Sequence, residues 1–309
     1  MISVKDLTKN FKKRSGDHGN KITAVDHISL KIEMGELFGL IGPNGAGKTT
    51  FVKMLSTLIL PDEGSAKIDG HDLLKEAPAI RRKIGVLTGE FSRSLYWRLT
   101  GKQNLRFFAD LYNMPKKRSQ ERIALLLKQL GLVGWGDELV MKYSTGMKHK
   151  LALARALLID PPILLLDDPT MALDPVSSYE IRRFVEDEFK DKLILWTSHN
   201  LHEIEELCDR IALIDHGKVV FEGKPKTLRK SYWEYSLIVV EIAFGNPSVF
   251  SDMDEEVTVD GKRIEIKTDD VTRAFRSINE IIAREGITVE GIETRDPTLE
   301  EIFMKEVGR

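Results

Sequence analysis

A glycine-rich run in the N-terminal part of the sequence carries the clearest chemical signal. Its residues match the pattern G-x-x-x-x-G-K-[ST] and are Gly42, Pro43, Asn44, Gly45, Ala46, Gly47, Lys48, Thr49 and Thr50. Glycines let successive backbone N–H groups turn toward phosphate oxygens, and a helix predicted to begin near Lys48 adds its positive N-terminal end. We predict that Lys48 reaches the β- and γ-phosphates of a nucleotide and that the Thr49 hydroxyl ligates Mg²⁺.

A second apolar segment ends in two adjacent carboxylates. Residues 163–166 are isoleucine or leucine throughout, and Asp167 and Asp168 follow directly. A buried strand that ends in acids is ordinary by itself, but a phosphate loop upstream gives such a carboxylate a metal ion to bind. We therefore predict that Asp167 is directed at Mg²⁺ beside the phosphates.

The elements that must position these residues follow a mainly parallel α/β pattern, in which short apolar runs alternate with amphipathic segments. Residues 37–41, 163–166 and 193–196 each predict a buried strand that runs into polar residues at its C-terminal end. Open α/β sheets place ligands at that end of their strands. The polar residues after these strands are therefore the expected ligand site.

The remaining segments predict the domain organisation. Residues 1–35 predict short strands that form an antiparallel edge, and residues from about 90 to 145 have the periodicity of a helical insert. After a break at 222–225, strands with a hairpin turn at Asp260 and Gly261, and helices at about 271–285 and 298–307, predict a small α+β domain. We expect a nucleotide-binding domain over residues 1–225 and an accessory domain over residues 232–309.

The composition excludes several classes of protein. A formal net charge of −2 and a sequence pI of about 6.4 lack the basic footprint of a duplex-binding protein, so we expect no nucleic-acid partner. The single cysteine, Cys208, cannot form an intrachain disulfide, which fits a reducing cytosol. No apolar stretch has the length of a signal peptide core or a bilayer span, so we expect membrane association only through another protein.

A third motif makes the sequence resemble the ABC ATPase superfamily over about residues 1–225. Ser144, Thr145, Gly146 and Met147 lie some twenty residues before Asp167, where that family has its L-S-G-G-Q signature. The serine and the second glycine match, whereas Thr145 and Met147 do not. Ser144 also caps a predicted helix, which is a structural role compatible with the functional one. The resemblance implies that this element contacts ATP bound to a second ATP-binding subunit, in a head-to-tail pair with two shared sites.

Two further positions resemble the family's site residues. Asp174, followed by Pro175, stands where the family has the D-loop that faces the partner subunit, although the pair is also an ordinary helix start. Phe11 stands in the region where the family stacks an aromatic ring on adenine, although a core phenylalanine is an open alternative.

The third predicted strand ends at the family's switch histidine. His199 follows Thr197 and Ser198, and the resemblance implies that its imidazole contacts the γ-phosphate. Asn200 and Glu203 follow at the spacing of a capping box, so we predict that both cap the next helix.

Two departures from the family pattern affect the chemistry. Asp168 stands where the family has the glutamate that polarises the attacking water, and its side chain is one methylene shorter. A general base must come within about 2.6 to 3.2 Å of its proton, so this retreat is expected to slow hydrolysis. The segment 84–90 lacks the family's Mg²⁺-sensing glutamine, and Glu90 or Gly89 takes that place.

These departures leave alternatives open. Two copies of this chain could hydrolyse ATP slowly at both sites, or the chain could pair with a different subunit and lend Ser144 and Gly146 to that subunit's site. A scaffold that binds ATP without turnover is a third possibility.

The C-terminal region resembles that of a particular group within the superfamily. Residues 295–303 resemble the closing element of the accessory domain in ATPase subunits of drug, antibiotic and lipid exporters, whose membrane domain is a separate polypeptide. The resemblance implies an integral membrane subunit as partner and a location at the cytoplasmic face of the membrane. Aromatic and apolar residues in an otherwise polar stretch either line a groove for a helix of that subunit or pack inside the helical insert. These residues are Phe91, Leu95, Tyr96, Trp97 and Leu99.

Overall fold

The chain folds into two compact units, Met1–Lys224 and Pro225–Arg309. The residues that the computed structural model describes are 1–12, 21–89, 94–227 and 236–295. Each unit has a hydrophobic core of its own. No helix among these described residues is long and apolar enough to cross a bilayer.

Strands and helices alternate along most of the first unit. Its strands are β1 (Ile2–Lys12), β2 (Lys21–Ile32), β3 (Leu37–Ile41), β4 (Glu63–Ile68), β5 (His71–Asp72), β6 (Ile84–Leu87), β7 (Ile163–Asp167), β8 (Leu193–Ser198), β9 (Arg210–Asp215) and β10 (Lys218–Gly223). Its helices are α1 (Lys48–Leu55), α2 (Ala77–Arg81), α3 (Gly101–Leu111), α4 (Lys116–Gln129), α5 (Thr145–Ala156), α6 (Pro175–Glu188) and α7 (Leu201–Leu207). This alternation produces the predicted α/β class.

An antiparallel sheet forms the predicted edge, in the spatial order β2-β1-β4-β5. In β2, the buried Ile28, Leu30 and Ile32 alternate with exposed residues, so one face of the strand packs on the core. The pairing of β1 with β2 shifts register at several points, which increases the local twist of the edge.

A six-stranded sheet in the order β10-β9-β3-β8-β7-β6 forms the centre of the first unit. All its pairs are parallel except β9 with β10. Every residue of β3, β7 and β8 is buried, as expected for parallel strands covered on both faces. In register, Ile41 pairs with Ser198 and Asp167 pairs with Thr197, so the three predicted strands end side by side.

Helices α3 and α4 and short 3₁₀ turns at Val133–Trp135 and Val140–Lys142 make up the helical insert. Leu105 and Ala109 face inward on α3 at the predicted helical spacing. A complete capping box at Thr100 and Gln103 begins this helix.

The second unit is a small α+β fold. Its elements are β11 (Ser236–Phe244), β12 (Glu256–Asp260), β13 (Arg263–Thr268), α8 (Val271–Glu285) and β14 (Thr288–Arg295). The sheet order is β12-β13-β11-β14 with antiparallel pairing throughout, and β12 and β13 form the hairpin predicted at Asp260 and Gly261. The helix predicted at 298–307 lies outside the described residues.

Candidate functional site

The loop between β3 and α1 has a backbone that glycine alone accommodates at two positions. A side-chain carbon on Gly47, whose φ is +108°, would lie 2.1 Å from the carbonyl oxygen of Ala24. A side-chain carbon on Gly42 would lie 2.2 Å from the carbonyl oxygen of Ile214. Neighbouring strands therefore press on the loop from outside and hold its backbone in the turn that brings it to the start of α1.

Lys48 is the first residue of α1, and its ammonium turns back over the loop. Its Nζ donates to the carbonyl oxygens of Gly42 at 2.6 Å and Pro43 at 3.1 Å. Burial lowers the pKa of Lys48, and the nearby charges of Asp168 and Asp167 oppose that shift. The amine is thus buried beside two carboxylates, where a cation can act on phosphate in a medium of low dielectric.

Asp167 joins the first turn of α1 to the end of β8. Its Oδ1 accepts from the Thr49 hydroxyl at 3.2 Å and from the Thr197 hydroxyl at 2.8 Å. Burial raises the pKa of Asp167, while these two hydrogen bonds act in the opposite direction. The structure therefore brings together Thr49 and Asp167, the two residues predicted to bind Mg²⁺.

Asp168 is oriented by an unusual backbone conformation. Its φ is +46°, and its N–H donates to the carbonyl oxygen of Thr197 at 3.2 Å and to the Thr197 hydroxyl at 3.0 Å. Its carboxylate Oδ1 lies 3.1 Å from Nδ1 of His199. The end of β7 thus presents two successive carboxylates that have different partners.

Thr197 contacts both aspartates, at the Asp167 carboxylate and at the Asp168 backbone, and sequence reasoning gave it no role. Its hydroxyl donates to Asp167 and accepts from the N–H of Asp168. Only the pairing of β7 with β8 reveals this contact. A hydroxyl residue two positions before the histidine that follows β8 is the one signal in the sequence that points to it.

Helix α5 begins with the predicted signature residues. Ser144 is the N-cap, and its hydroxyl accepts from the N–H of Met147 at 3.2 Å. Thr145 and Gly146 are the first two residues of the helix, so their backbone N–H groups lie at its positive end. Gly146 also packs closely, because a side-chain carbon there would lie 2.8 Å from the hydroxyl of Ser177.

Asp174 begins α6 as its N-cap, with Pro175 as the first helical residue. Its carboxylate accepts from the N–H of Ser177 at 3.0 Å and from the Ser177 hydroxyl at 2.7 Å. The backbone hydrogen bond from Ser177 is the main reason why the pKa of Asp174 is lowered. Ser177 therefore lies between the predicted D-loop residue and the signature helix of the same chain.

The structure separates the predicted site residues into two groups. Lys48, Thr49, Asp167, Asp168 and His199 lie together at the ends of β3, β7 and β8. Within the described residues, no hydrogen bond or ion pair joins the Ser144–Met147 segment to the phosphate loop.

The remaining predicted residues are placed as follows. The Phe11 side chain lies on β1, is 39% exposed, and has Nζ of Lys9 at 5.6 Å from its ring centroid. Glu90 and Phe91 lie outside the described residues. Leu95 is buried, which favours packing for that residue, whereas Tyr96 and Trp97 are exposed.

The prediction that Glu203 caps α7 is wrong. Asn200 does cap the helix, because its Oδ1 accepts from the N–H groups of His202 and Glu203. The Glu203 side chain turns inward instead, and its Oε2 accepts from the hydroxyl of Thr170 at 2.7 Å. The Asn200 N–H that a capping box would pair with Glu203 donates to the Ser198 hydroxyl at 2.9 Å instead, so the Glu203 carboxylate is left to the buried hydroxyl donor.

Comparison with known proteins gives two family matches. Residues 25–171 match the family described as ABC transporter, and residues 223–307 match the family described as ATP-binding protein DrrA1-3-like, C-terminal domain. The second match covers much of the second structural unit.

Individual relatives match over most of the chain. The daunorubicin resistance ATP-binding protein DrrA3 of Streptomyces coeruleorubidus is 35% identical over 96% of this chain and 93% of its own length. The ABC transporter ATP-binding protein NatA of Bacillus subtilis is 38% identical over 75% of this chain and 92% of its own. A solved dimeric ATP-binding cassette in a post-hydrolysis state, bound to ADP and Pi, has a TM-score of 0.65 and 29% identity, and covers 72% of this chain and 98% of its own.

Proposed function

This chain belongs to the family of ABC transporter ATP-binding subunits, and from that premise we propose which of its residues carry out ATP binding and hydrolysis. The family membership makes the chain an ATPase that acts as the ATP-driven motor of an exporter. The observation that carries our assignment is the convergence of Thr49, Asp167, Asp168 and His199 at adjacent strand ends.

The phosphate loop binds the triphosphate of ATP in this proposal. Backbone N–H groups of residues 44–50 surround the phosphates, and Lys48 moves from the Gly42 and Pro43 carbonyls to the β- and γ-phosphate oxygens. The exposed ring of Phe11 stacks on adenine.

The residues beside the loop fit a magnesium ion. Asp167 and Thr49 supply hard oxygen ligands, which Mg²⁺ prefers, and phosphate oxygens complete such sites in proteins. No group of three or more His, Cys, Asp or Glu side chains that could hold a metal ion occurs in the described part of the chain, and this kind of site needs none. When bound, Mg²⁺ supplies positive charge to the phosphate oxygens.

Asp168 and His199 have different roles at the γ-phosphate. Asp168 is the general base that takes a proton from the attacking water, and its backbone hydrogen bonds to Thr197 fix where the carboxylate points. His199, 3.1 Å from that carboxylate, holds the γ-phosphate and orients the base. Glu90 remains a candidate for a weak contact to the metal.

The active assembly has two shared sites. Ser144, Thr145, Gly146, Met147 and Asp174 of one subunit contact the nucleotide held by the other. The separation of this group from the phosphate loop within one chain supports the proposal, and so does the exposure of Ser144.

A mixed-dimer experiment tests the shared site. Lys48→Ala inactivates the loop, whereas Ser144→Asp keeps a good helix cap but places a negative charge toward the partner's triphosphate. Each variant alone is expected to lose Mg²⁺-dependent phosphate release. A mixture of the two should recover activity, because every mixed dimer contains one site built from an intact loop and an intact signature helix.

The controls separate folding from chemistry. Ser144→Asn caps the helix without the charge and should lose clearly less activity than Ser144→Asp. If mixing restores nothing while both variants are folded and dimeric, the site is not shared and the assignment of Ser144 fails.

The transport partner is an integral membrane subunit, which holds this chain at the cytoplasmic face of the membrane. A helix of that subunit packs on Tyr96 and Trp97, which are both exposed. Tyr96 is held in place by Phe107, against which it packs edge-on with ring centroids 4.8 Å apart. Relatives named for daunorubicin and doxorubicin resistance support export of a drug-like compound. These relatives are transporter subunits, so they do not favour a scaffold without turnover.

A further inference from the structure

Glu203 is a buried carboxylate that the hydrolytic site described above does not use. It lies in the first turn of α7 and is 3% exposed. A carboxylate removed from water is unfavourable unless donors surround it, so its partners show what holds it there.

Three side chains from different segments meet this carboxylate. Its Oε2 accepts from the Thr170 hydroxyl at 2.7 Å and from the Ser198 hydroxyl at 3.4 Å. Its Oε1 lies 3.8 Å from the guanidinium of Arg182. Thr170 and Ser198 are themselves buried, so both contacts are shielded from water.

Each partner lies close to a residue of the proposed site. Thr170 is two residues after Asp168, and Ser198 immediately precedes His199. Arg182 lies on α6, the helix that begins after Asp174.

The segment from Asp168 to Asp174 has its own turns but needs an external attachment. The N–H of Met171 donates to the carbonyl oxygen of Asp168 at 3.1 Å, and the N–H of Leu173 donates to that of Thr170 at 3.2 Å. Asp168 is attached to β8 through its backbone, and Thr170 is attached to α7 through Glu203. The Glu203 contact therefore fixes the middle of this segment.

We propose that Glu203 is a positioning residue for ATP hydrolysis, because it holds the Asp168 segment and the His199 segment in one fixed relation. It acts through Thr170 and Ser198 and does not touch the substrate. The inference rests on the roles assigned above to Asp168 and His199.

Charge as well as shape matters at this position. One carboxylate oxygen accepts from two hydroxyls while the other faces a guanidinium. A glutamine can still accept from Thr170, but its amide then presents donors to Arg182, which is itself only a donor. Glu203→Gln thus disturbs the position of the segments with little change of volume.

The test compares Glu203→Gln with the same substitution at Glu206, a neighbouring residue on α7. Glu206 is 54% exposed in its side chain and lies 3.6 Å from the same Arg182, so Glu206→Gln removes a surface charge from the same guanidinium. For full-length chain we would measure kcat and KM for ATP hydrolysis, the Kd for a slowly hydrolysed ATP analogue, and Tm. Thr170→Val, which removes only the hydroxyl, is measured alone and combined with Glu203→Gln.

Glu203→Gln is expected to lower kcat about tenfold or more, as removal of outer-shell partners commonly does. The Kd for the ATP analogue should change less than about threefold, because the residues of the phosphate loop do not contact Glu203. Thr170→Val should lower kcat similarly, and the double variant should be no worse than either single one, since both remove the same contact. Glu206→Gln should match wild type.

Several results would overturn the inference. One is an unchanged kcat for Glu203→Gln, and another is a parallel loss of kcat, analogue affinity and Tm that would mark a merely structural role. Asp168→Asn and His199→Ala, assayed alongside, separate the two proposals. If they lower kcat and Glu203→Gln does not, the inference alone fails, whereas if they leave kcat intact, the site assignment fails and the inference with it.

Discussion

Asp168 and His199 lie on neighbouring strand ends with Oδ1 of the carboxylate 3.1 Å from Nδ1 of the imidazole. The Asp168 side chain is mostly buried, whereas that of His199 is half exposed, so the histidine faces the open side of the pair. A substrate phosphate can therefore reach His199 first, with the carboxylate behind it.

Asp168→Glu should raise the rate of ATP hydrolysis. The longer side chain moves the carboxylate outward by about one carbon–carbon bond, toward the position of an attacking water, and a general base acts only within hydrogen-bond reach. The backbone of residue 168 has φ +46°, which aspartate tolerates better than glutamate, so the free energy of unfolding of the variant is measured alongside its rate. Steady-state phosphate release per subunit measures the effect.

Asp168→Asn is the matched control, since it keeps the shape and loses the base, and its rate should fall about a hundredfold. An unchanged rate for Asp168→Glu in a folded protein would show that the short carboxylate does not limit hydrolysis.

Thr197→Val should weaken both stability and magnesium dependence. The substitution preserves shape but removes one of the two hydroxyl donors to the buried Asp167. Leaving a buried acceptor with fewer partners costs about 1–3 kcal/mol, which urea unfolding can detect. A carboxylate that is less firmly oriented should also need more Mg²⁺ for half-maximal hydrolysis.

Thr197→Ser restores the hydroxyl and should restore both properties. A valine variant as stable as wild type, with the same Mg²⁺ requirement, would contradict the role that we assign to this contact.

The sequence was sufficient to predict the local structure around those candidate residues that lie in a continuous pattern. Residues 42–50 form one continuous motif between a strand and a helix, and Asp167 ends an unmistakably apolar strand. The caps at Ser144 and Asp174 are likewise local, since each side chain bonds a backbone N–H three residues on.

Contacts between segments that are distant in the sequence could not be predicted from local pattern. Thr197 meets Asp167 because β7 and β8 pair in one particular register, and a sequence does not state that register. Glu203 has the spacing of a capping residue, yet its side chain binds Thr170, which is 33 residues away along the chain. The local preference for a capping box is overridden when tertiary packing brings a buried hydrogen-bond donor within reach of the side chain.

His149→Gln should reduce the acid sensitivity of the fold. Burial lowers the pKa of His149 to about 4 from an ordinary 6.5, so the native state holds this imidazole neutral. Its contribution to stability is complete above about pH 6.5 and is lost as the pH falls toward 4, by about 3 kcal/mol in total. Urea unfolding across this range should show a smaller loss for the variant than for wild type.

The control for His149 is His202→Gln, a substitution at an exposed histidine on α7. That variant should follow the wild-type pH dependence. Identical curves for His149→Gln and wild type would mean that protonation of this buried imidazole does not drive acid unfolding.

Asp167→Asn should stabilise the fold while it abolishes Mg²⁺-dependent hydrolysis. Burial raises the pKa of Asp167, so its ionised form is disfavoured in the native state relative to the unfolded chain. The stability linked to this group is therefore present at low pH and is lost as the pH rises through the raised pKa.

An asparagine oxygen still accepts from Thr49 and Thr197 but carries no charge to desolvate. The variant should thus resist urea better than wild type at about pH 7.5, by a margin that shrinks at about pH 4, near the ordinary pKa of an aspartate in the unfolded chain. Asp187→Asn, at an exposed site on α6, should show no such margin. If Asp167→Asn and wild type resist urea equally, or if their difference is the same at both pH values, the Asp167 charge does not destabilise the fold.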